Sequence, residues 1–337
     1  MNRFFKKLLV FLLLLTTVLG LLELGFRLKP TTFKDKYTGL NKYASEIEIL
    51  ALGHSHANEG FNPRVMKHRA YNMAVGFQNV YFDDYILGHF IDRMDSLKWV
   101  VIATSYYHFY NTLPNLEDMR GEDLFNTVKY HLYWQVDSVK NDQIPNYDPR
   151  YNLEILNNPA RAYLNMFGYY LTGKAFNSSA KAEREDFIKY GFSKGIDITV
   201  SKTELDESGV FCANGHNPHY EGEPKFDGSY NYGKYESIVK RCADKGVNVV
   251  IMLYPCWQTY VDNLNKYQLT DTKRMMQQLA DSYDNCIVMD YMSDPRFDSY
   301  DFHDSIHLNK HGADKMSEIL EKDLEALGGE GYNMILH

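Results

Sequence analysis

The sequence predicts an α/β fold in which helices cover both faces of a doubly wound parallel sheet. Short runs rich in Val and Ile recur along the chain and alternate with stretches whose apolar residues repeat at helical spacing. These runs are apolar at almost every position, which is typical of strands that are buried on both faces. Their order is strand, strand, helix, strand and, after a long interval, helix, strand, helix, strand, helix. This order indicates a flavodoxin-like plan with a large helical or irregular insertion.

Composition limits the class of protein further. The chain has 337 residues, which fits about two average domains or one large α/β domain with insertions. Hydrophobic residues make up 45% and charged residues 24%, so a disordered chain is excluded. Asp and Glu number 44 against 36 Lys and Arg, giving a net charge of −8 without any basic stripe. We therefore expect no nucleic-acid partner, and the sequence identifies no protein partner.

The first 28 residues predict a membrane anchor. Arg3, Lys6 and Lys7 precede an uncharged run over 8–22, which extends with few interruptions to Leu28 and then approaches the ~20 residues that a membrane-spanning helix needs. No Ala-x-Ala cleavage site is evident, so we expect an uncleaved signal anchor rather than a removed signal peptide. The early positive cluster favours a single-pass protein whose main domain lies on the periplasmic or extracytoplasmic side.

The rest of the chain is predicted to form a stalk over 29–46, which is polar, and an α/β domain over 47–337. The predicted strands are Ile47–Leu52, Ala70–Met73, Trp99–Ala103, Val247–Leu253 and Cys286–Asp290. The predicted helices are Val80–Ser96, Tyr235–Lys245, Thr270–Tyr283 and Lys310–Leu327. Residues 111–231 show no strand series and are rich in Tyr, Asn and Asp. We expect them to form an insertion that caps the sheet as a lid or substrate platform.

The four cysteines are Cys212, Cys242, Cys256 and Cys286, and their spacing excludes zinc-ribbon and thioredoxin-type sites because no Cys-x-x-C is present. In an oxidising compartment they could form two disulfides, in any of three pairings. We favour buried thiols, since Cys256 and Cys286 lie near the ends of predicted strands.

Two short segments carry residues that suit nucleophilic catalysis. The first predicted strand runs directly into Gly53-His54-Ser55, where a tight turn would project the Ser55 hydroxyl into the crevice beyond the strand ends. A hydroxyl is a poor nucleophile at neutral pH and needs a base. Asp304 and His307 follow the last strand and are three residues apart, so the carboxylate can orient the imidazole while the other ring nitrogen accepts the serine proton. In this topology both segments can reach the same crevice.

These segments resemble the sequence blocks of the SGNH (GDSL-like) hydrolase superfamily. Its early Gly-x-Ser block appears as Gly53-His54-Ser55, and its final Asp-x-x-His block appears as Asp304-Ser305-Ile306-His307, followed by Leu308, Asn309 and Gly312. Its second block is matched by the segment 72–76. The resemblance covers roughly 47–105 and 248–327. It implies that Ser55 is the nucleophile, His307 the base and Asp304 the orienting acid, with the backbone amides of Ser55 and Gly76 in the oxyanion hole.

The sequence departs from the family pattern at two places. His54 stands where the family has Asp, and the third block, normally Gly-x-Asn-Asp, is not recognisable in the segment 104–108. Ser105 or Asn111 would then replace the missing Asn donor to the oxyanion. A missing donor typically costs 10²–10³-fold in rate. We also expect His54, His56 and Asn72 to line the substrate site.

The resulting functional hypothesis is a serine esterase or O-acyltransferase that acts on acylated envelope or extracellular glycans and needs no cofactor. The anchored layout is similar to that of membrane-tethered proteins that handle acyl groups on cell-envelope polymers. A first alternative is a non-catalytic glycan-binding or assembly protein. A second alternative is a metal-dependent hydrolase whose candidate ligands would be His54, His56, His303, Asp304 and His307. His216 and His219 are expected at the surface of a turn-rich loop.

Overall fold

The computed structural model describes residues 2–114, 116–134, 138–139, 142–143, 148–217 and 228–328. The chain divides into two compact units. Unit one consists of Met1–Tyr37 and Pro114–Asp186, and unit two of Thr38–Leu113 and Phe187–His337. His219 lies outside the described residues.

Seven strands are described, and five of them form the sheet of unit two. In chain order they are β1 (Ile49–Gly53), β2 (Ala70–Asn72), β3 (Trp99–Thr104), β4 (Ser138–Val139), β5 (Asp142–Gln143), β6 (Asn248–Leu253) and β7 (Cys286–Asp290).

Fourteen α-helices are described. They are α1 (Asn2–Leu28), α2 (Thr32–Tyr43), α3 (Ser55–Gly60), α4 (Val80–Phe90), α5 (Gly121–Trp134), α6 (Pro149–Asn152), α7 (Glu154–Asn157), α8 (Ala160–Leu171), α9 (Ser178–Tyr190), α10 (Lys202–His216), α11 (Ser229–Ala243), α12 (Gln258–Asp262), α13 (Lys266–Ser282) and α14 (Lys310–Gly328).

The sheet of unit two confirms the predicted doubly wound fold. Its strand order is β2-β1-β3-β6-β7, and every neighbouring pair is parallel. β1 and β3 are buried along their whole length, as expected for continuous apolar runs between two layers of helices. The chain moves outward from β1 to β2 and then returns past β1 to β3. The strand order therefore reverses between β1 and β3, which is where ligands bind in such folds.

The predicted strands match the observed ones to within two residues at each end, whereas one helix is shorter than predicted. The helix expected over Val80–Ser96 ends at Phe90 and continues as a short 3₁₀ turn over Ile91–Arg93. Two successive tight turns, closed by the bonds from Met94 N to Ile91 O and from Leu97 N to Met94 O, then lead the chain into β3.

Unit one contains α1, which among the described residues is the single helix long and apolar enough to cross a membrane. It spans Arg3–Leu28 and contains an 18-residue stretch with a mean hydropathy of 2.4, of which no residue is buried.

The segment 29–46, expected as a stalk, instead contains α2. Phe33 is buried against Tyr130 at a ring distance of 5.1 Å, and its carbonyl accepts a 3.1 Å bond from Trp134 Nε1. The buried Asp35 carboxylate pairs with Arg184. Aromatic packing and an ion pair thus hold in place a segment whose polar composition predicted a stalk.

The region 111–231, expected as one insertion, is shared between the units. Residues 114–186 group with the N-terminal segment in unit one, and residues 187–231 group with the sheet in unit two. In unit two, α10 contacts α12 through the Asp206 carboxylate, which accepts bonds from Trp257 Nε1 and Thr259 Oγ1. All four cysteines are free thiols, and three of them are buried.

Candidate active site

The end of β1 turns sharply and presents Ser55 at the carboxyl edge of the sheet. Gly53 has φ 108°, and a Cβ there would lie 2.5 Å from the Ala103 carbonyl oxygen, so a side chain does not fit. The Gly53 amide donates to Asp83 Oδ1 at 2.9 Å. His54 is extended, and α3 begins at Ser55. The serine therefore stands where the strand order reverses.

The loop between β7 and α14 is held closed around Asp304 and His307. Phe302 and Leu308 form an antiparallel bridge across its base, and the Ser305 carbonyl accepts a 2.8 Å bond from Trp257 N. Asn309 caps α14, because its Oδ1 accepts the Gly312 amide at 3.0 Å. These contacts fix the loop at both ends.

The structure brings Ser55, His307 and Asp304 into hydrogen-bond contact. His307 Nε2 lies 2.8 Å from Ser55 Oγ, and His307 Nδ1 lies 2.8 Å from Asp304 Oδ2. The other carboxylate oxygen, Oδ1, accepts the backbone amides of Ile306 at 2.9 Å and His307 at 2.8 Å. With Nδ1–H donated to the carboxylate, Nε2 is free to accept the serine proton.

The electrostatic environment of these three residues favours an ionised Asp304 and a basic His307. Burial raises the pKa of Asp304, but the hydrogen bond and charge of His307 together with the Ile306 amide outweigh burial, and the pKa is about 2. Burial lowers the pKa of His307, and the hydrogen bond and charge of Asp304, helped by Glu59, raise it above its ordinary value. An imidazole with a raised pKa is a stronger base once it is neutral.

The loop after β2 runs beside Ser55. Met73 N donates to Ala51 O at 2.8 Å, and Val75 N donates to Gly53 O at 3.2 Å, which carries the strand pairing forward to the residue before Gly76. Gly76 is half-buried, and a Cβ there would meet nothing within 4 Å. The loop therefore brings the Gly76 backbone to the edge where Ser55 lies.

Asn72 shapes this loop. Its Nδ2 donates to the carbonyls of Ala57 at 2.7 Å and Phe61 at 2.8 Å, and its Oδ1 accepts the Ala74 amide at 3.0 Å. The side chain is fully buried. Although Asn72 was expected to contact substrate, its amide is used in joining the β2 loop to α3.

Ser105 follows β3 directly and is buried. The register pairs Gly53 with Ala103, so the residues just beyond the two strands lie side by side. Asn111 lies farther along the chain, where its backbone carbonyl accepts bonds from the side chains of Asn79 and Asn231.

Three histidines form a buried cluster behind the serine. The ring of His54 lies 4.4 Å from that of His56 and 4.2 Å from that of His108. Burial and neighbouring histidines lower the pKa values of His54 and His56 well below the ordinary value, and burial lowers the pKa of His108 to about 4. All three are therefore neutral at physiological pH. His54 and His56, which were expected to line the substrate site, are both buried.

Two features of the site have no signal in the sequence. Glu59 on α3 contacts His303 Nε2 at 2.6 Å, and the His303 ring lies parallel to His307 at 5.5 Å. Ser208 on α10 contacts the hydroxyl of Ser305 at 3.0 Å. Both partners are remote in the chain, so no local pattern could reveal them.

His216 is half-buried rather than on the surface. Its ring packs on Tyr107 at 4.5 Å, and its Nδ1 lies 2.8 Å from the Tyr260 hydroxyl. The aromatic residues that bury it come from the segments after β3 and β6, and the sequence around His216 does not contain them.

The set of possible metal ligands differs from the one that the sequence suggested. In the described part of the chain, Glu59, His303 and His307 have ligand atoms within 4.8 Å of one another. Both ring nitrogens of His307, however, already contact Ser55 and Asp304. His54 and His56 are not members of this set.

Comparison with known proteins adds a likeness at the level of the backbone. One similar structure is a proposed platelet activating factor from Streptococcus pneumonia, with a TM-score of 0.40 and 10% identity over 94% of this chain and 98% of that chain. Another is a proposed acylhydrolase from Bacteroides fragilis, with a TM-score of 0.40 and 9% identity over 88% of this chain and 98% of that chain. No family model and no curated protein matches the chain. These values are too low to transfer either activity to this chain, and the class that its sheet defines is a doubly wound α/β fold.

Proposed function

We propose that the protein is a membrane-anchored serine hydrolase of the SGNH type, an esterase or O-acyltransferase that acts on acylated glycans. The observation that carries this proposal is the pair of 2.8 Å contacts that link Ser55 Oγ to His307 and His307 to Asp304. Serine, histidine and carboxylate in this order are the arrangement that activates a hydroxyl for attack on a carbonyl.

The proposed reaction proceeds in two halves. Ser55 Oγ bonds to the carbonyl carbon of an O-acyl group while its proton passes to His307 Nε2. The backbone amides of Ser55 and Gly76 stabilise the oxyanion, with Ser105 beside them as the candidate third donor. His307 then returns the proton to the departing sugar oxygen as the C–O bond breaks, which leaves an acyl group on Ser55. Water or a second hydroxyl then gives its proton to His307 Nε2 and bonds to the acyl carbon. As the bond from this carbon to Ser55 Oγ breaks, His307 returns the proton to Oγ, and the acid or the new ester leaves.

The substrate class and location rest on two further observations. Trp257 is half-buried and its backbone amide donates to the Ser305 carbonyl in the loop that holds Asp304 and His307, so its indole is the candidate stacking surface for a sugar. The exposed apolar helix α1 suits a membrane anchor, which would hold the enzyme near envelope polymers on the extracytoplasmic side.

A fluorophosphonate probe tests the nucleophile without knowledge of the substrate. We expect covalent labelling of the full chain in detergent, loss of labelling in Ser55→Ala, and full labelling in the control Ser193→Ala, which changes an exposed serine. Labelling should be unaffected by a chelator, whereas metal-dependent activity would be lost. Hydrolysis of a panel of acetylated sugars then identifies the ester. A folded wild-type chain that shows neither labelling nor hydrolysis would instead favour the glycan-binding alternative.

A further inference from the structure

Unit one exposes an unusual number of large apolar side chains close to the end of α1. On α8, Leu164, Phe167 and Leu171 are exposed by 73%, 45% and 84%, and the next turn exposes Phe176 by 80%. The first three follow i, i+3, i+7 spacing and form one stripe along the helix. A stripe of this size in water is unfavourable, so it marks a surface that is covered in the functional protein.

The neighbouring face of α8 packs on the last turns of α1. The Tyr163 ring meets Phe26 at 4.8 Å, and the Tyr170 hydroxyl donates to the Gly25 carbonyl at 2.9 Å. Met166 occupies the space beside Gly25, since a Cβ there would lie 2.9 Å from its sulfur. The apolar stripe is therefore continuous with the end of the membrane-type helix.

The depth of this contact fits the edge of a bilayer. A span of about 20 residues that begins at Leu8, after the cluster of Arg3, Lys6 and Lys7, ends near Arg27. Gly25 lies two residues, or roughly 3 Å, before that end, at the boundary between acyl chains and headgroups. Glu23, two residues farther into the span, is paired with Arg27 at 2.7 Å and with the Ile155 amide at 3.0 Å.

The charge of this region differs from that of the chain. Residues 155–182 contain Arg161, Lys174 and Lys181 and no acidic residue, although the whole chain has a net charge of −8. All three cations are exposed. Helices that lie on anionic lipid surfaces typically carry cations beside an apolar stripe.

We propose that α8 and the turn through Phe176 lie along the membrane surface, with Leu164, Phe167, Leu171 and Phe176 inserted at the boundary of the acyl chains of an anionic bilayer. This inference rests on the proposed insertion of α1. It makes unit one a platform fixed at the membrane by two elements, with α1 across the bilayer and α8 along it.

Depth-dependent quenching tests this placement in the full chain. Single cysteines at Leu171→Cys, Leu13→Cys and Phe211→Cys would carry an environment-sensitive fluorophore in a Cys212→Ser background. The remaining cysteines are buried, and burial raises their thiol pKa values, which keeps them unreactive. Phe211, on α10 of unit two, is exposed by 79% and is a matched control for Leu171.

The labelled proteins would be reconstituted in vesicles of phosphatidylglycerol and phosphatidylcholine that contain a spin-labelled lipid. We expect emission at Leu13→Cys and Leu171→Cys to fall to about half or less, while emission at Phe211→Cys is unchanged. Quenching at Leu13→Cys without quenching at Leu171→Cys would overturn the surface placement and leave the anchor intact. No quenching at either position would overturn both. Fluorophosphonate labelling of Ser55 in the same samples reports separately on the catalytic proposal.

Discussion

Replacement of Asp304 by Asn should invert the hydrogen bond that orients His307. Asp304 Oδ1 accepts two backbone amides, whereas Oδ2 accepts His307 Nδ1. An Asn side chain must keep its oxygen on the two amides, because its NH₂ group would otherwise face two donors. The NH₂ group then points at Nδ1 and donates to it. The ring is forced to carry its proton on Nε2, which faces the Ser55 hydroxyl and can no longer accept its proton.

The expected loss in rate follows from this tautomer of His307. Loss of the orienting carboxylate in a Ser-His-Asp arrangement lowers the rate by roughly 10⁴-fold, which corresponds to about 5.5 kcal/mol of barrier. The measurement is the rate constant for fluorophosphonate labelling of Ser55 in Asp304→Asn near pH 8. Asp298→Asn is the matched control, since Asp298 is an N-cap in the same loop and Asn caps equally well. Its labelling rate should stay within a few-fold of the parent.

The pH profile adds a second readout for Asp304. Because the pKa of His307 is raised in the parent, labelling should fall on the acid side at a pH above that of an ordinary imidazole. In Asp304→Asn this acid limb should move to lower pH, since the charge that raises the pKa is gone. A variant that labels within tenfold of the parent, with an unmoved acid limb, would refute the orienting role of Asp304.

Three further changes test the surroundings of the site. Gly53→Ala should lower the free energy of unfolding by about 3 kcal/mol or more, because Gly53 has a positive φ and the new Cβ would lie 2.5 Å from a carbonyl oxygen of β3. The melting temperature should drop by roughly 10 °C. The control Gly233→Ala, where the new Cβ meets open space, should not lower it. Glu59→Gln keeps a hydrogen-bonding group but removes a charge that raises the pKa of His307, so the acid limb of labelling should shift to lower pH; an unchanged limb would count against this coupling. Burial raises the pKa of Asp83 to about 7, so Asp83 binds a proton more tightly in the folded protein than in the unfolded chain. The free energy of unfolding should therefore fall by up to roughly 4 kcal/mol as the pH rises from about 4 to about 7. Asp83→Asn should remove that slope from melting curves measured across this range, and an identical slope would contradict it.

The sheet could be predicted from the sequence because its strands are buried on both faces. Continuous apolar runs such as Trp99–Thr104 need only local composition to be recognised. The segment 29–46 could not be predicted in the same way. Its helix α2 is stabilised by Tyr130, Trp134 and Arg184, which lie about 100 or more residues away. Local polarity therefore indicated a stalk where tertiary contacts produce a helix.

The same distinction applies to the site. Ser55 is marked by the Gly53 turn, and the spacing of Asp304 and His307 is itself a motif. The histidines at 54 and 56 were predicted as substrate contacts because they flank Ser55 in the chain. Their burial follows from the position of His54 in the turn after the buried strand β1 and of His56 in α3, which packs on the sheet. The residue types alone do not reveal either position.

The position of His307 depends on two contacts to other parts of unit two, of which one, to α10, lies outside the range of the family resemblance. The catalytic loop bonds to Trp257 N through the Ser305 carbonyl, and the Ser305 hydroxyl and amide contact Ser208 Oγ at 3.0 Å and 3.3 Å. Ser208 belongs to α10, a helix within the region expected to be only a cap over the sheet. Because Ser305 lies between Asp304 and His307, a shift of α10 changes the loop that sets the distance from imidazole to serine. In the proposed mechanism α10 therefore helps to position the base His307 through the contacts of Ser208 with Ser305.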